Sequence, residues 1–286
     1  MQTLVNRRGF LQHTAALAAA ATGASLSGTL SSAAVTDDPY RGLPIGVQSY
    51  SLRNYDVQQA IRHIQGLGVH FVEFSLQHLP LDSSPEQIAQ LQARLKQAEL
   101  AISGHGVNEF SADHAANRRV FEFAHKLGIR NLPANPKPDS FDSLERLVEE
   151  YNIRIAIHNH GPGALYDKLD SVQQAVRNRH KLIGACVDTG HTLRSNEDPV
   201  KWIHELGARV FALHVKDVAE KQDRTRNVVL GTGHLDVVGM FKALRDIKFP
   251  ADGSLALEYE ANPENPIDEM KECIAVAKEA IAKVNS

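Results

Sequence analysis

Cysteine is nearly missing from this chain: 286 residues carry 2, Cys186 and Cys273. Two thiols cannot build a disulfide framework, so both are expected to be unpaired, Cys186 inside the fold and Cys273 on the last helix. An excess of positive charge is missing too. With 31 Lys+Arg against 34 Asp+Glu and a formal net charge of -3, there is no basic footprint for nucleic acid or an anionic membrane. No run reaches the roughly 18 strongly apolar residues of a membrane span; the Ala-rich stretch 14–30 is diluted by Thr, Ser and Gly. Glycine is absent from Ser49-Tyr50-Ser51-Leu52-Arg53, where an open doubly wound sheet would favour a phosphate-binding loop after its first strand. Tryptophan occurs once, as Trp202 in a helical stretch, a core position rather than a sugar platform.

What is present is an ordinary globular composition, 43% hydrophobic and 23% charged, together with 14 histidines. Several of those histidines end apolar runs. Ile153–Ile157 climbs into His158-Asn159-His160 and breaks at Gly161-Pro162-Gly163. Gly184–Val187 runs into Asp188-Thr189-Gly190-His191, Val210–Leu213 into His214-Val215-Lys216-Asp217, and Leu255–Leu257 into Glu258-Tyr259-Glu260. Short β-branched runs of this kind read as buried parallel strands whose carboxyl ends carry chemistry. Strand parity sharpens the pattern: the residues two before His158, Asp188, His214 and Glu258 are Ala156, Cys186, Ala212 and Ala256, all small. Four ligands converging above such a narrow layer would have room for an ion and a substrate. His158 or His214 alone would more often be a satisfied core histidine; the four strand ends together make a divalent metal site.

The remaining elements alternate. Expected strands cover residues 45–50, 70–74, 101–105 and a weaker 129–134, with Pro133 arguing against its upper half. Helices are expected from Val57, from the capping box Ser84-Pro85-Glu86-Gln87, over residues 112–127 with Gly128 as the stop, and over 140–150. Further helices at 167–178, 199–206, 237–247 and 267–284 separate the later strands. Eight strand–helix units in about 245 residues predict a single α/β domain, a (β/α)₈ TIM barrel over residues 43–284. Ahead of it, Asn6-Arg7-Arg8-Gly9-Phe10-Leu11-Gln12 resembles a twin-arginine export signal, with small residues for cleavage at Ser32-Ala33-Ala34. Residues 1–36 are therefore expected to be a signal peptide and disordered start, and the mature protein periplasmic or otherwise exported.

Active sites of such barrels sit at the carboxyl face. The candidates are Glu73, His105, His158, His160, Asp188, His191, Arg194, His214, Lys216, Glu258 and Glu260. A His/carboxylate set without thiolate suits one divalent ion, Mn²⁺, Zn²⁺, Co²⁺ or Fe²⁺ more than Mg²⁺ or Ca²⁺. Such an ion polarises a carbonyl or vicinal hydroxyls and acidifies the adjacent C–H.

The order of Asp188-Thr189-Gly190-His191, His214-Val215-Lys216-Asp217, Gly231-Thr232-Gly233-His234-Leu235-Asp236 and Leu257-Glu258-Tyr259-Glu260 resembles the xylose isomerase-like TIM barrels, as does the opening Gly46–Arg53. That group holds sugar isomerases, epimerases and dehydratases. The resemblance implies Asp188, His214 and Glu258 as metal ligands, with His158 where the family usually has a glutamate. It implies a small carbohydrate substrate, with Glu258, His158 and Lys216 as catalytic candidates and Glu73, His105, His160, His191 and Arg194 as substrate contacts. The expected activity is a metal-dependent isomerase or epimerase acting on a non-phosphorylated keto sugar or derivative. Because His158 breaks the family's mirror pair of glutamates, a lyase eliminating from 3-keto sugars or glycosides is the alternative, and a non-catalytic periplasmic sugar-binding barrel ranks below both. A phosphodiesterase would want a basic groove, which the charge balance denies. Neither a nucleic-acid partner nor an integral membrane association is expected, and a homo-oligomer stays open.

Overall fold

The computed structural model describes residues 38–284. The expected export segment, residues 1–36, lies outside them. In chain order the strands are β1 (Ile45–Gln48), β2 (Phe71–Phe74), β3 (Ala101–His105), β4 (Asn108–Phe110), β5 (Asn131–Pro136), β6 (Arg154–His158), β7 (Ile183–Asp188), β8 (Val210–Val215), β9 (Asp217–Val218), β10 (Asn227–Val228) and β11 (Ser254–Leu257). The helices are α1 (Val57–Gly66), α2 (Pro85–Gln97), α3 (His114–Lys126), α4 (Phe141–Tyr151), α5 (Leu169–Val176), α6 (Thr189–Arg194), α7 (Pro199–Leu206), α8 (Val237–Asp246) and α9 (Ile267–Val284). No helix among the described residues is long and apolar enough to cross a membrane.

Nine strands form one parallel sheet in the order β3-β2-β1-β11-β8-β7-β6-β5-β4. Its two ends, β3 and β4, are consecutive in the chain and separated only by Gly106-Val107. The sheet is therefore nearly closed, with β3 and β4 sharing one strand position. Eight positions with helices outside make the expected (β/α)₈ barrel. The small antiparallel pair β9-β10 stands apart, over the carboxyl face.

Local chemistry sets the helix ends. Asp56 with Gln59 and Ser84 with Gln87 each close a capping box, and Pro85 occupies the first turn of α2. Gly128 (φ 70°) follows α3, and Asn152 (φ 53°) ends α4 in the left-handed region. On α4 the buried residues Phe141, Leu144, Leu147 and Val148 recur at helical spacing and face the sheet. Each such side chain stabilises the fold by about 1.5–3 kcal/mol over leaving it in water.

Parity divides the strands as the alternation requires. Ile155, Ile157, Val187, Leu213 and Val215 join the outer core beneath the helices, whereas Ala156, Cys186 and Ala212 form a separate inner cluster with Phe211. Phe211 breaks the alternation at a register shift, where Ala185 pairs with Val210 but Cys186 pairs with Ala212. Its ring lies over Gly184, where a Cβ would come within 2.5 Å of it. Both cysteines are buried and free.

Three expectations are corrected. The first strand stops at Gln48 rather than Tyr50, because the Gln48 side chain accepts the Tyr50 backbone N–H and starts a 3₁₀ turn over Ser49–Leu52. Pro133 does not weaken β5, which runs through it to Pro136, with Pro133 opposite Ala156. On its other side the neighbouring strand is interrupted beside it, and a residue without an N–H is tolerated at such an edge-like place. The short helix α6 was not anticipated.

Candidate metal centre and its cavity

Four adjacent strand ends, β6, β7, β8 and the residue after β11, bring His158, Asp188, His214 and Glu258 together at the carboxyl face. One ligand atom from each lies within 4.8 Å of all the others, and all four residues are buried. His158 Nε2 is 3.2 Å from Asp188 Oδ2. His214 Nδ1 is 2.9 Å from Glu258 Oε2 and 3.9 Å from Asp188 Oδ2. Despite that proximity, His214 Nδ1 and Glu258 Oε2 lack an aligned hydrogen-bond partner. An imidazole nitrogen and a carboxylate oxygen facing each other out of alignment, beside a second carboxylate and a second imidazole, are what a dication would satisfy. The set fits one divalent ion, its two nitrogens and two carboxylates matching the softer first-row metals.

Lys216 projects into the same cluster. Its Nζ lies 3.1 Å from Asp188 Oδ2 and 2.9 Å from Glu258 Oε2, and it also bonds Glu260 Oε1. Burial alone would raise the Asp188 carboxyl, but His191, Lys216 and the hydrogen bond from His158 hold it well below the usual range. Glu258 behaves alike: burial opposes its charge, and Lys216 and His214 outweigh that to keep it low. Burial disfavours the Lys216 ammonium, yet Asp188, Glu258 and Glu260 raise it well above its ordinary value. For His214 burial is outweighed by Cys186, Glu73 and Glu258, which raise it. Without a bound ion, opposite charges inside the cluster balance one another.

Above the cluster opens a cavity of about 710 Å³, within the range of small-molecule sites. Among the candidates, His158, His160, His191, Arg194, Lys216, Glu258 and Glu260 line it. His160 stacks on His191 with ring centroids 4.1 Å apart. Burial, then the neighbouring His158, lowers the His160 imidazole. Arg194 Nη1 is 2.9 Å from His191 Nδ1; a guanidinium can only donate, so Nδ1 is the acceptor. Helix α6 carries both residues, and its first turn is capped by Asp188 Oδ1, which accepts the His191 N–H. The metal-ligand candidate thus also orients the helix that supplies the opposite wall.

Glu73 and His105 are the corrections. Both are 0% exposed and neither lines the cavity, so neither is placed to touch substrate. Glu73 lies below the cluster, bonded to Gln48, Ser254 and His214. His105 bonds Leu79 O at 2.8 Å and packs on Phe123, and burial lowers its imidazole. Both end inward-leading strands, but depth along a barrel axis is not visible in parity. Gln48, Tyr50 and Arg226 line the cavity and were not singled out. Asp217 serves loop structure, as expected: its carboxylate accepts the backbone N–H groups of Gly231, Gly233, His234 and Leu235 at 2.7–3.0 Å. Trp202 is core, 1% exposed, with Nε1 on Glu197.

A nearly closed parallel barrel with a buried His/Asp/Glu cluster at its carboxyl face defines a metal-competent (β/α)₈ protein. The chain belongs to the xylose isomerase-like TIM barrel family, whose family model matches residues 61–280. An inosose dehydratase from Clostridium beijerinckii is 27% identical over 142 residues, covering 44% of this chain and 46% of that protein. A 3-oxo-isoapionate decarboxylase from Pectobacterium atrosepticum is 25% identical over 179 residues, 57% of this chain and 63% of the other. The chain thus spans about half the length of the curated relatives it matches. A D-tagatose 3-epimerase-like protein superposes with a TM-score of 0.70 at 19% identity, over 85% of this chain and 98% of that one, a likeness of fold.

Proposed function

We propose that this chain is a divalent-metal-dependent enzyme that removes a proton beside the carbonyl of a keto sugar or sugar derivative, and that the outcome is elimination. The observation that carries this reading is the asymmetry of the cavity floor. Lys216 pairs with Glu258 and Glu260, whereas His158, His160 and His191 make a cluster of rings, so the lining groups that could move a proton are chemically unlike. Epimerisation asks for equivalent bases on the two faces of the reacting carbon, whereas elimination asks for one base at the C–H and one acid at the leaving oxygen. The dehydratase and decarboxylase among the relatives, both lyases by name, support the same direction.

His158, Asp188, His214 and Glu258 would hold the ion, which when bound polarises the substrate carbonyl. The remaining work falls to side chains on the cavity wall. The Glu258 carboxylate, at the cavity wall, takes the proton from carbon. The C–H electron pair becomes a C=C bond as the C–O bond at the next carbon breaks. Lys216 Nζ donates a proton to the departing oxygen, which leaves as water. His160, and His191 braced by Arg194, hold hydroxyls against the far wall. Isomerisation is the second reading, favoured by His158, whose ring stands among the cluster groups and would return a proton in place of the family's glutamate. Retention of Glu258 and Lys216 argues against a purely binding barrel. The paired arginines Arg7 and Arg8 support export as part of this proposal, with the enzyme working outside the cytoplasm.

The test is incubation of metal-loaded protein with free, 3-keto and glycosidic sugars in D₂O, followed by mass spectrometry and NMR. Loss of water or of the aglycone with an enone product supports elimination. Deuterium incorporated without loss supports isomerisation. No change in any sugar with Mn²⁺, Zn²⁺, Co²⁺ or Fe²⁺ present would sink both.

A further inference from the structure

Hydrogen-bond direction can be followed through the barrel floor from a group whose role is fixed. The Tyr50 backbone N–H can only donate, and it points at the side-chain carbonyl of Gln48 at 3.1 Å. That settles which way the Gln48 amide is turned: its oxygen faces Tyr50 and its NH₂ faces Glu73 Oε1, 2.7 Å away. Ser254 Oγ donates to Glu73 Oε2 at 2.6 Å. Both oxygens of Glu73 are therefore acceptors. His214 Nε2 lies 2.6 Å from Oε1, and donation is the role left to it.

We infer that this relay, from the Tyr50 backbone through Gln48 and Glu73, fixes the proton of His214 on Nε2 and turns the lone pair of Nδ1 into the ligand cluster, so that Glu73 is a positioning residue for metal uptake. The inference rests on reading the cluster as a divalent site. Nδ1 is the nitrogen that faces Glu258 Oε2 and Asp188 Oδ2, and it has no hydrogen-bond partner of its own. Glu73 does not line the cavity and bonds none of the other three ligand candidates, so its hydrogen-bonded link to the cluster runs through His214. A carboxylate behind a metal-bound imidazole fixes both tautomer and ring angle, and its loss typically costs about 10–100-fold in metal affinity.

Three variants separate this role from simple packing. Glu73→Met removes the acceptor; divalent-ion affinity, titrated with Mn²⁺ or Zn²⁺ on stripped protein, is expected to fall about 10–100-fold. Glu73→Gln keeps an oxygen in the place of Oε1 and can turn its NH₂ toward Ser254, so affinity is expected within a few-fold of wild type. Ser254→Ala removes a Glu73 partner without touching His214 and is expected to lower thermal stability while leaving affinity unchanged. Folded Glu73→Met with wild-type affinity would overturn the relay. So would Glu73→Gln losing as much as Glu73→Met, which would assign the effect to charge. Should Glu73→Met fail to fold, ¹⁵N-histidine NMR of the zinc-loaded wild type decides: metal on Nδ1 with a deshielded Nε2–H supports the relay, and metal on Nε2 refutes it. A wild type that binds no divalent ion brings down the metal reading alone if the Nε2–H bond to Glu73 is still seen, and both if it is not.

Discussion

Replacing Lys216 with Met should make folding of the stripped protein depend on metal. The ammonium is 3% exposed and lies 3.1 Å from Asp188 Oδ2 and 2.9 Å from Glu258 Oε2. Its removal leaves two buried carboxylates in one cluster without a lysine, offset by His214 beside both and by His158 and His191 beside Asp188. Glu260 is one-third exposed and so the least affected. Breaking a buried ion pair by deleting one partner costs about 3–5 kcal/mol, chiefly through the uncompensated charge left behind. At about 2–4 °C per kcal/mol for a domain of this size, the lower figure lowers Tm by about 6–12 °C. A divalent ion at about 100 times its Kd adds about 2.7 kcal/mol to either protein. The variant should gain more at equal ion concentration, since the incoming charge displaces no ammonium from Asp188 and Glu258. Differential scanning fluorimetry in chelator and across a Mn²⁺ or Zn²⁺ series reads both effects. A stripped variant as stable as wild type, or a loss that saturating metal leaves unchanged, would refute the reasoning.

Stability of the stripped protein should depend on pH at both ends of the near-neutral range. Asp188 and Glu258 are held below their unfolded values of about 3.9 and 4.3, so their contribution is full above about pH 5 and is lost as pH falls through the folded values. His214 is raised, so its contribution is full below about pH 6 and is lost as pH rises through its folded value. Urea midpoints across that range check this, and a flat acid limb would contradict it. His158→Glu restores the family's usual ligand: metal should be retained, and solvent exchange at the substrate C–H should appear if His158 is a ligand substitute. Metal retained with turnover lost would instead assign the imidazole to acid–base work. Changing Arg7 and Arg8 together to Lys should leave the protein in the cytoplasm, assayed by fractionation; unchanged export would count against the signal.

Sequence alone determined the barrel and the gathering of His158, Asp188, His214 and Glu258. Both follow from pattern. Apolar runs buried on both faces demand a covered parallel sheet, eight strand–helix units without a glycine loop after the first strand close it, and parity puts every second strand-end residue inside. The capping box at Ser84 and the stop at Gly128 were equally local, so the helix boundaries around them were legible; the box at Asp56 came from the structure. Depth and partnership were not. Glu73 and His105 have the same inward strand-end signature as His158, and only the register between strands shows that they lie beneath or beside the cavity. Pro133 looked like a stop because the break in the strand beside it, at Gly106-Val107, cannot be seen from β5 itself. Direction of hydrogen bonding, from Tyr50 to His214, needed four elements brought together across more than one hundred and fifty positions of chain. Periodicity is a property of neighbours in sequence, whereas charge balance around Lys216 and the tautomer of His214 are properties of neighbours in space, and only the closed barrel supplies those.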